Sequence, residues 1–249
     1  VSFSPDGALL ASSDLSGKMC IWEALTGHLL HVYTAGTSIV SLAWDHSDVI
    51  MCGLMDGIIV KLILTDEEVE IEGKWSHAYP VENLAVYGCD LLASGAHSEV
   101  FVWDTSENWK SSLPIKELEP PMVADTNREV LVTGLHWGAT DGHRRSPDIL
   151  VVTYMSQGIF IYDANDWVVL RHIVDRADAG FILSPDCSHI AVANLVDGFD
   201  IYDLETGSVA LSLFHEVGKK YPVPVLYVHG GTAILGGSTA GMMDLWYIE

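Results

Sequence analysis

Residues 90–106 read DLLASGAHSEVFVWDTS, and the way this stretch recurs decides the fold. An apolar run over 91–96 and a second over 100–103 flank a short polar turn, the pattern of two strands joined by a hairpin. Sliding the stretch along the chain finds five sister copies. They are ALLASSDLSGKMCIWEALTG (8–27), DVIMCGLMDGIIVKLIL (48–64), DILVVTYMSQGIFIYDAN (148–165), HIAVANLVDGFDIYDLETG (189–207) and AILGGSTAGMMDLWYIE (233–249). One anchor position holds Trp22, Lys61, Trp103, Tyr162, Tyr202 and Trp246, at intervals of 39, 42, 59, 40 and 44 residues. A period near 40 marks a repeat architecture. The single long interval contains Leu118-Glu119-Pro120-Pro121 and the polar run ATDGHRRSP (139–147), both loop-like.

Each unit is a β-rich run, a turn, two further runs joined by a tight turn, and a more polar outer run. In the first unit these are VSFSP, ALLASSD, GKMCIWE and HLLHVY. Helical periodicity is absent, so each unit reads as a four-stranded antiparallel meander. The runs CIW, IIV, FVW, IFIY and IAVA are apolar on consecutive residues, which a strand needs when both its faces are covered. Four-stranded sheets that cover one another by radial stacking make a β-propeller. The expectation is an all-β chain, a single propeller domain over 1–249 with blades near 1–33, 39–77, 80–121, 129–174, 178–216 and 222–249. The chain starts at Val1 on a first strand and stops at Glu249 on a third, so the six visible blades are expected to belong to a longer product and a seven-bladed ring. Cys20 asks whether GKMCIWE is a redox or metal site. Sister copies place Ile58-Ile59-Val60, Val100-Phe101-Val102 and Ile159-Phe160-Ile161 in the slot of Met19-Cys20-Ile21, so the slot demands apolar bulk rather than sulfur.

With 34 acidic and 12 basic residues the net charge is -22, which works against a phosphate-backbone partner and favours a protein or peptide that is basic or neutral. His143-Arg144-Arg145 and Lys219-Lys220 read as solvated loops. Asp66, Glu67, Glu68, Glu70 and Glu72 crowd the outer edge of the second blade, where charge resists strand pairing. Cys20, Cys52, Cys89 and Cys187 lie far apart without a CxxC pair and read as small buried hydrophobes, and there is no Asn-x-Ser/Thr sequon. This usage suits a reducing compartment, hence a cytoplasmic or nuclear location. No apolar run approaches the ~18 residues of a membrane span, and no membrane partner is expected.

Phe3-Ser4-Pro5-Asp6-Gly7, Trp103-Asp104, Tyr162-Asp163 and Tyr202-Asp203, in register with the repeat, resemble the WD40-repeat propellers, and DGFDIYDLETG resembles their degenerate fungal WD40-like members. The resemblance implies a network of a His, a strand Ser or Thr, a Trp and a turn Asp. His77, Ser94 and Trp103 match it in the third blade, Ser12 and Trp22 in the first, and no blade shows the full set. Ser16 and Ala240 stand where two turn Asp residues belong, and Lys61 replaces the second anchor aromatic.

The resemblance also implies a partner-binding face, on which Tyr79, Arg128, Arg176, Tyr221, Met55 and Met155 fall. It implies a non-catalytic interaction scaffold or sensor, without cofactor or metal. The alternative is a propeller enzyme, lactonase-like or quinoprotein-like, for which Glu82, Asn83 and His136 are the candidates in a central channel.

Three motifs fail on context. GGSTAG (236–241) nearly spells a nucleophile elbow but lacks the helix that must follow it. His215-Glu216 has Lys219 where a zinc pair needs its second His. Ser16-Gly17-Lys18 lacks the remaining residues of a phosphate loop.

Overall fold

The computed structural model describes residues 1–65, 68–88, 90–105, 109–122, 129–139, 147–173, 181–194, 196–216, 218–219, 221 and 223–248. The chain divides into two compact units, Val1–Pro120 and Pro121–Glu249.

The first unit holds three four-stranded antiparallel sheets. They are β1 (Ser2–Phe3), β2 (Leu9–Ser13), β3 (Lys18–Glu23) and β4 (Leu29–Thr34); β5 (Ile39–His46), β6 (Val49–Leu54), β7 (Ile58–Leu64) and β8 (Val69–Trp75); and β9 (Asn83–Tyr87), β10 (Leu91–Ala96), β11 (Glu99–Asp104) and β12 (Lys116–Leu118). The second unit holds β13 (Val132–Gly138), β14 (Ile149–Tyr154), β15 (Gly158–Asp163) and β16 (Val169–Ile173), then β17 (Phe181–Leu183), β18 (His189–Asn194), β19 (Gly198–Asp203) and β20 (Val209–Phe214). A three-stranded sheet closes it, with β21 (Val225–Val228), β22 (Ala233–Gly237) and β23 (Met243–Tyr247). The described residues contain no α-helix, only short 3-10 turns at Trp109–Ser111 and His229–Gly231. No helix among them is long and apolar enough to cross a membrane.

Every sheet is a meander in sequence order, because each connection is short enough only for a hairpin. The second strands carry the burial: β6 and β14 are buried at every residue. Apolar contacts join neighbouring sheets within each unit. Ala11, Met19 and Ile21 of the first sheet pack with Ile50, Cys52 and Leu62 of the second, and Phe199 and Ile201 of the fifth pack with Ile234 of the sixth.

The structure departs from the sequence reading at three points. The anchor of the second sheet is Leu62, not Lys61. Leu62 pairs with Ile50 as Trp103 pairs with Leu92 and Trp22 with Leu10. Leu62 is fully buried, whereas Lys61 sends its Nζ to the Thr105 carbonyl at 3.3 Å. The hairpin register, not the one-letter alignment, sets this position, since a slip of one residue reverses the face.

Second, β3 alternates between buried and half-exposed or exposed residues instead of being covered throughout. Its Met19 and Ile21 face the second sheet, while Cys20 and Trp22 point to the other face. Third, the thiols are not uniformly buried. Cys52 is, and burial pushes its thiol far above the usual range, but Cys20 and Cys187 are half-buried. Cys187 sits in a turn, where its Sγ accepts the Ala139 amide at 3.4 Å. Cys89 lies outside the described residues.

Glu68, just before β8, and Glu70 on it are exposed, while Glu72 is half-buried with Lys110 Nζ at 3.5 Å. Asp66 and Glu67 lie outside the described residues.

Candidate interaction site on the first unit

Three connections meet beside the third sheet: the β6–β7 turn (55–57), the β8–β9 loop (76–82) and the β10–β11 turn (97–98). The loop is tied to the first turn through backbone, because Ser76 and His77 amides both donate to the Gly57 carbonyl at 3.0 Å and Val81 donates to Leu54 at 3.1 Å. Gly57 has φ +83°, and a Cβ there would run into the His77 carbonyl. Glycine alone satisfies both the left-handed backbone and the close approach.

The loop is tied to the second turn through side chains. Trp103 Nε1 donates to Ser94 Oγ at 2.8 Å, and Ser94 Oγ lies 2.7 Å from His77 Nε2. His77 Nδ1 lies 2.9 Å from Glu99 Oε2, which also accepts the Ala78 amide at 3.3 Å. Donors and acceptors are satisfied in one direction: Trp103 to Ser94, Ser94 hydroxyl to His77 Nε2, His77 Nδ1–H to Glu99. Burial holds the His77 imidazole below its ordinary pKa, opposed by the hydrogen bond and charge of Glu99. Phe101 stacks on the His77 ring at 4.6 Å. In the first sheet the shorter version remains, Trp22 Nε1 donating to Ser12 Oγ at 3.1 Å.

Glu99 escapes a sequence search because the resemblance asks for an Asp inside a turn. The β10–β11 hairpin has only two residues in its turn, so Glu99 is already the first residue of β11. Its longer arm spans the difference. The available signal was an acidic residue four before the anchor, where the other sheets carry Lys18, Ile58, Gly158, Gly198 and Met242.

On this buried frame rests an exposed aromatic. Tyr79 is 43% accessible and stacks on His97 at 4.4 Å with planes 21° apart. His97 holds φ 54°, the left-handed conformation that aims its ring back over the loop. Met55, 44% accessible, crowns the neighbouring turn. Tyr79 and Met55, expected from sequence, therefore stand on connections tied to each other, and His97 was missed.

Behind them a clasp joins the second and third sheets. Lys74 Nζ lies over the Trp103 ring at 4.1 Å and the Trp109 ring at 5.0 Å, and bonds the Ser112 carbonyl and hydroxyl. Burial lowers the Lys74 pKa.

In the second unit Tyr221 is 64% accessible, and Met155 crowns the β14–β15 turn, its amide donating to Leu131 at 2.8 Å. Arg128 and Arg176 lie outside the described residues, as do His143-Arg144-Arg145 and Lys220. Of the channel candidates, Glu82 is exposed and Asn83 half-buried on β9. His136 on β13 packs edge-on to Phe181 at 4.9 Å, and burial lowers its pKa to about 4. Among the described residues no group of three or more His, Cys, Asp or Glu side chains could hold a metal ion.

No family model matches the sequence, and no curated protein matches it. Solved structures do: 1476 chains share the fold, so the architecture is a common one. One of them, from "Crystal Structure of Mitotic Checkpoint Complex", superposes with TM-score 0.79 at 17% identity, covering 100% of this chain and 75% of that one.

Proposed function

We propose that this chain, whose fold is that of a WD40-like β-propeller, is a non-catalytic interaction module that docks a protein or peptide on the loop end of its first unit, through Tyr79, His97 and Met55. The observation that carries the reading is the Tyr79–His97 stack. An exposed aromatic ordinarily has several rotamers open to it. This one stacks on a ring whose own turn adjoins Glu99, the end of the buried Trp103–Ser94–His77–Glu99 chain, and the stack favours one of them. A pre-ordered Tyr loses little side-chain entropy on binding, which makes it suited to anchor an interface.

That the neighbouring solved chain is part of a checkpoint complex supports a protein partner for this fold, not its identity. The net charge of -22 supports a basic partner, and the wide spacing of the four cysteines, without a CxxC pair, is the sequence ground for proposing a cytoplasmic or nuclear setting. Tyr221 and Met155, with Arg128 and Arg176, are proposed contacts of the second unit in their own right.

The test is affinity capture with quantitative mass spectrometry, comparing the native chain with Tyr79→Ala and, separately, Tyr221→Ala. Tyr79→Ala should lose a defined set of captured proteins at an unchanged melting temperature. Equal capture by the variant moves the site away from Tyr79.

A further inference from the structure

The fourth strand of each four-stranded sheet is an edge, since it pairs only with the third. Among the described residues β8 differs from β4, β12, β16 and β20 in two ways. It is the longest, seven residues against six, three, five and six, and it alone carries more than one acid. Its register with β7 runs without a bulge from Ile58–Trp75 to Leu64–Val69. Just beyond the two ends of this ladder, Thr65 N donates to Glu68 O at 2.9 Å and Ser76 N to Gly57 O at 3.0 Å. Bonded and non-bonded pairs alternate along an antiparallel ladder. Glu70, Glu72 and Lys74 therefore turn their amides and carbonyls toward β7, and Val69, Ile71, Gly73 and Trp75 turn theirs outward.

Side chains alternate along the same strand. Val69, Ile71, Gly73 and Trp75 lie opposite Leu64, Leu62, Val60 and Ile58, on the face that looks to the first sheet. Glu70, Glu72 and Lys74 take the other face, where Lys74 lies over Trp103 and Trp109 and Glu72 has Lys110 Nζ at 3.5 Å. The edge is accessible: Ile71 and Trp75 are 51% and 68% exposed, and Glu68, Glu70 and Gly73 are exposed as well. Gly73 leaves a notch between Ile71 and Trp75, because a Cβ there would find nothing nearer than Ile58 and Val60 Cγ2, at 3.8 and 3.9 Å. A strand laid along β8 would thus meet apolar surface with an open floor at every second residue, and carboxylates between.

We infer that the outer edge of β8 is a second docking site, which takes an extended segment of another polypeptide as an antiparallel fifth strand, apolar and Lys or Arg by turns, with one bulky apolar side chain in the Gly73 notch. Backbone pairing supplies the shape, the notch fixes the register, and Glu68, Glu70 and Glu72 select the sign of the partner's charge. A second copy of this chain would bring the same carboxylates against these, which charge on an edge discourages. The site is independent of the Tyr79 surface.

The probe is the labelled, end-capped peptide Thr-Ser-Leu-Lys-Val-Lys-Thr, titrated into the full chain, with its Leu opposite Gly73 and its lysines opposite Glu72 and Glu70. Saturable binding that weakens as salt rises is expected. N-methylation of the peptide at Leu or Val, whose amides face β8, should weaken it about tenfold or more, because each loses a ladder donor. Methylation at the Lys between them should not. Gly73→Val closes the notch with a residue that strands favour, so the melting temperature should hold or rise while affinity falls about tenfold. A peptide with Gly in place of Leu should bind the native and Gly73→Val chains alike. Glu70→Lys should weaken binding about threefold or more. Tyr79→Ala should leave it unchanged, which separates this site from the first.

Absence of saturable binding up to about 5 mM peptide overturns the proposal. Indifference to which amides are methylated, or equal affinity of the native and Gly73→Val chains for the Leu peptide, does the same. So does a dimer of the chain itself that the peptide dissolves, which assigns the edge to a second copy.

Discussion

Glu99 Oε2 accepts from both His77 Nδ1, at 2.9 Å, and the Ala78 amide, at 3.3 Å, so one carboxylate fastens two consecutive residues of the β8–β9 loop to the start of β11. His77 is 1% accessible, and its other nitrogen is spent on Ser94. The loop carrying Tyr79 has no freedom to lift without breaking these bonds. Glu99→Ala should lower unfolding free energy by about 1–3 kcal/mol, the range for stranding a buried donor. Glu99→Gln keeps an acceptor and should recover most of that loss in chemical denaturation. If both variants are equally destabilised, the carboxylate's charge rather than its geometry is what matters.

Acid should destabilise the second unit through His136. Its folded pKa of about 4 lies below the ordinary 6.5, because burial disfavours the imidazolium. Between those values the unfolded chain binds more protons than the native one. The contribution is therefore complete above pH 6.5 and is lost as pH falls toward 4, amounting to on the order of 3 kcal/mol. His77, also depressed by burial, acts in the same sense, while Asp45, raised by burial, acts in the opposite one. Comparing native chain with His136→Gln isolates the effect: the variant's urea midpoint should change less between pH 7 and pH 5. Parallel curves would exclude His136 as the source.

Two buried indoles of the same cluster should respond differently to loss of nitrogen. Trp103 Nε1 is bonded to Ser94, whereas Trp109 Nε1 is buried without a partner among the described residues. Trp103→Phe should thus cost about 1–3 kcal/mol more than Trp109→Phe. Lys74→Met, which keeps the aliphatic stem but removes the cation over both rings, should cost about 1 kcal/mol. Thermal melts of the three variants decide the order.

Gly57→Ala should be worse than an exposed turn position suggests. It forces a Cβ into the His77 carbonyl at φ +83°. The conformational part alone costs about 1 kcal/mol, and the clash adds to it. Because the same carbonyl precedes Tyr79, partner capture should fall with stability. Unchanged melting would mean that the loop can retreat.

The strand order was legible because the anchor aromatics Trp22, Trp103, Tyr162, Tyr202 and Trp246 survive with their turns, and each lies on the third strand of its sheet. The second sheet misled at Lys61 because Lys61 and Leu62 are adjacent, and only strand pairing tells which of two neighbours faces the core. His77, Ser94 and Trp103 could be found because the family resemblance implies those residue types at those places in the repeat. Glu99 could not, since its role depends on a turn one residue shorter than those of the other sheets. His97 was invisible for a related reason: nothing in its identity announces a left-handed backbone. Lys74 reads in sequence as one more charge on an acidic edge, and its place over two indoles is a tertiary fact.

The Lys74 clasp has a mechanical meaning. First and second sheets meet through apolar side chains such as Met19, Ile21 and Ile50, which can part gradually under load, and through hydrogen bonds from Trp44 Nε1 to the Ser2 carbonyl at 3.1 Å and from Ser38 Oγ to the Leu15 carbonyl at 2.6 Å. Second and third are joined in addition by Lys74 over two rings, Lys61 on Thr105 and Glu72 with Lys110, short-range bonds that resist until they fail at once. A molecule stretched from its ends should release the first sheet early and the second and third as one event, a single long step in a force-extension trace.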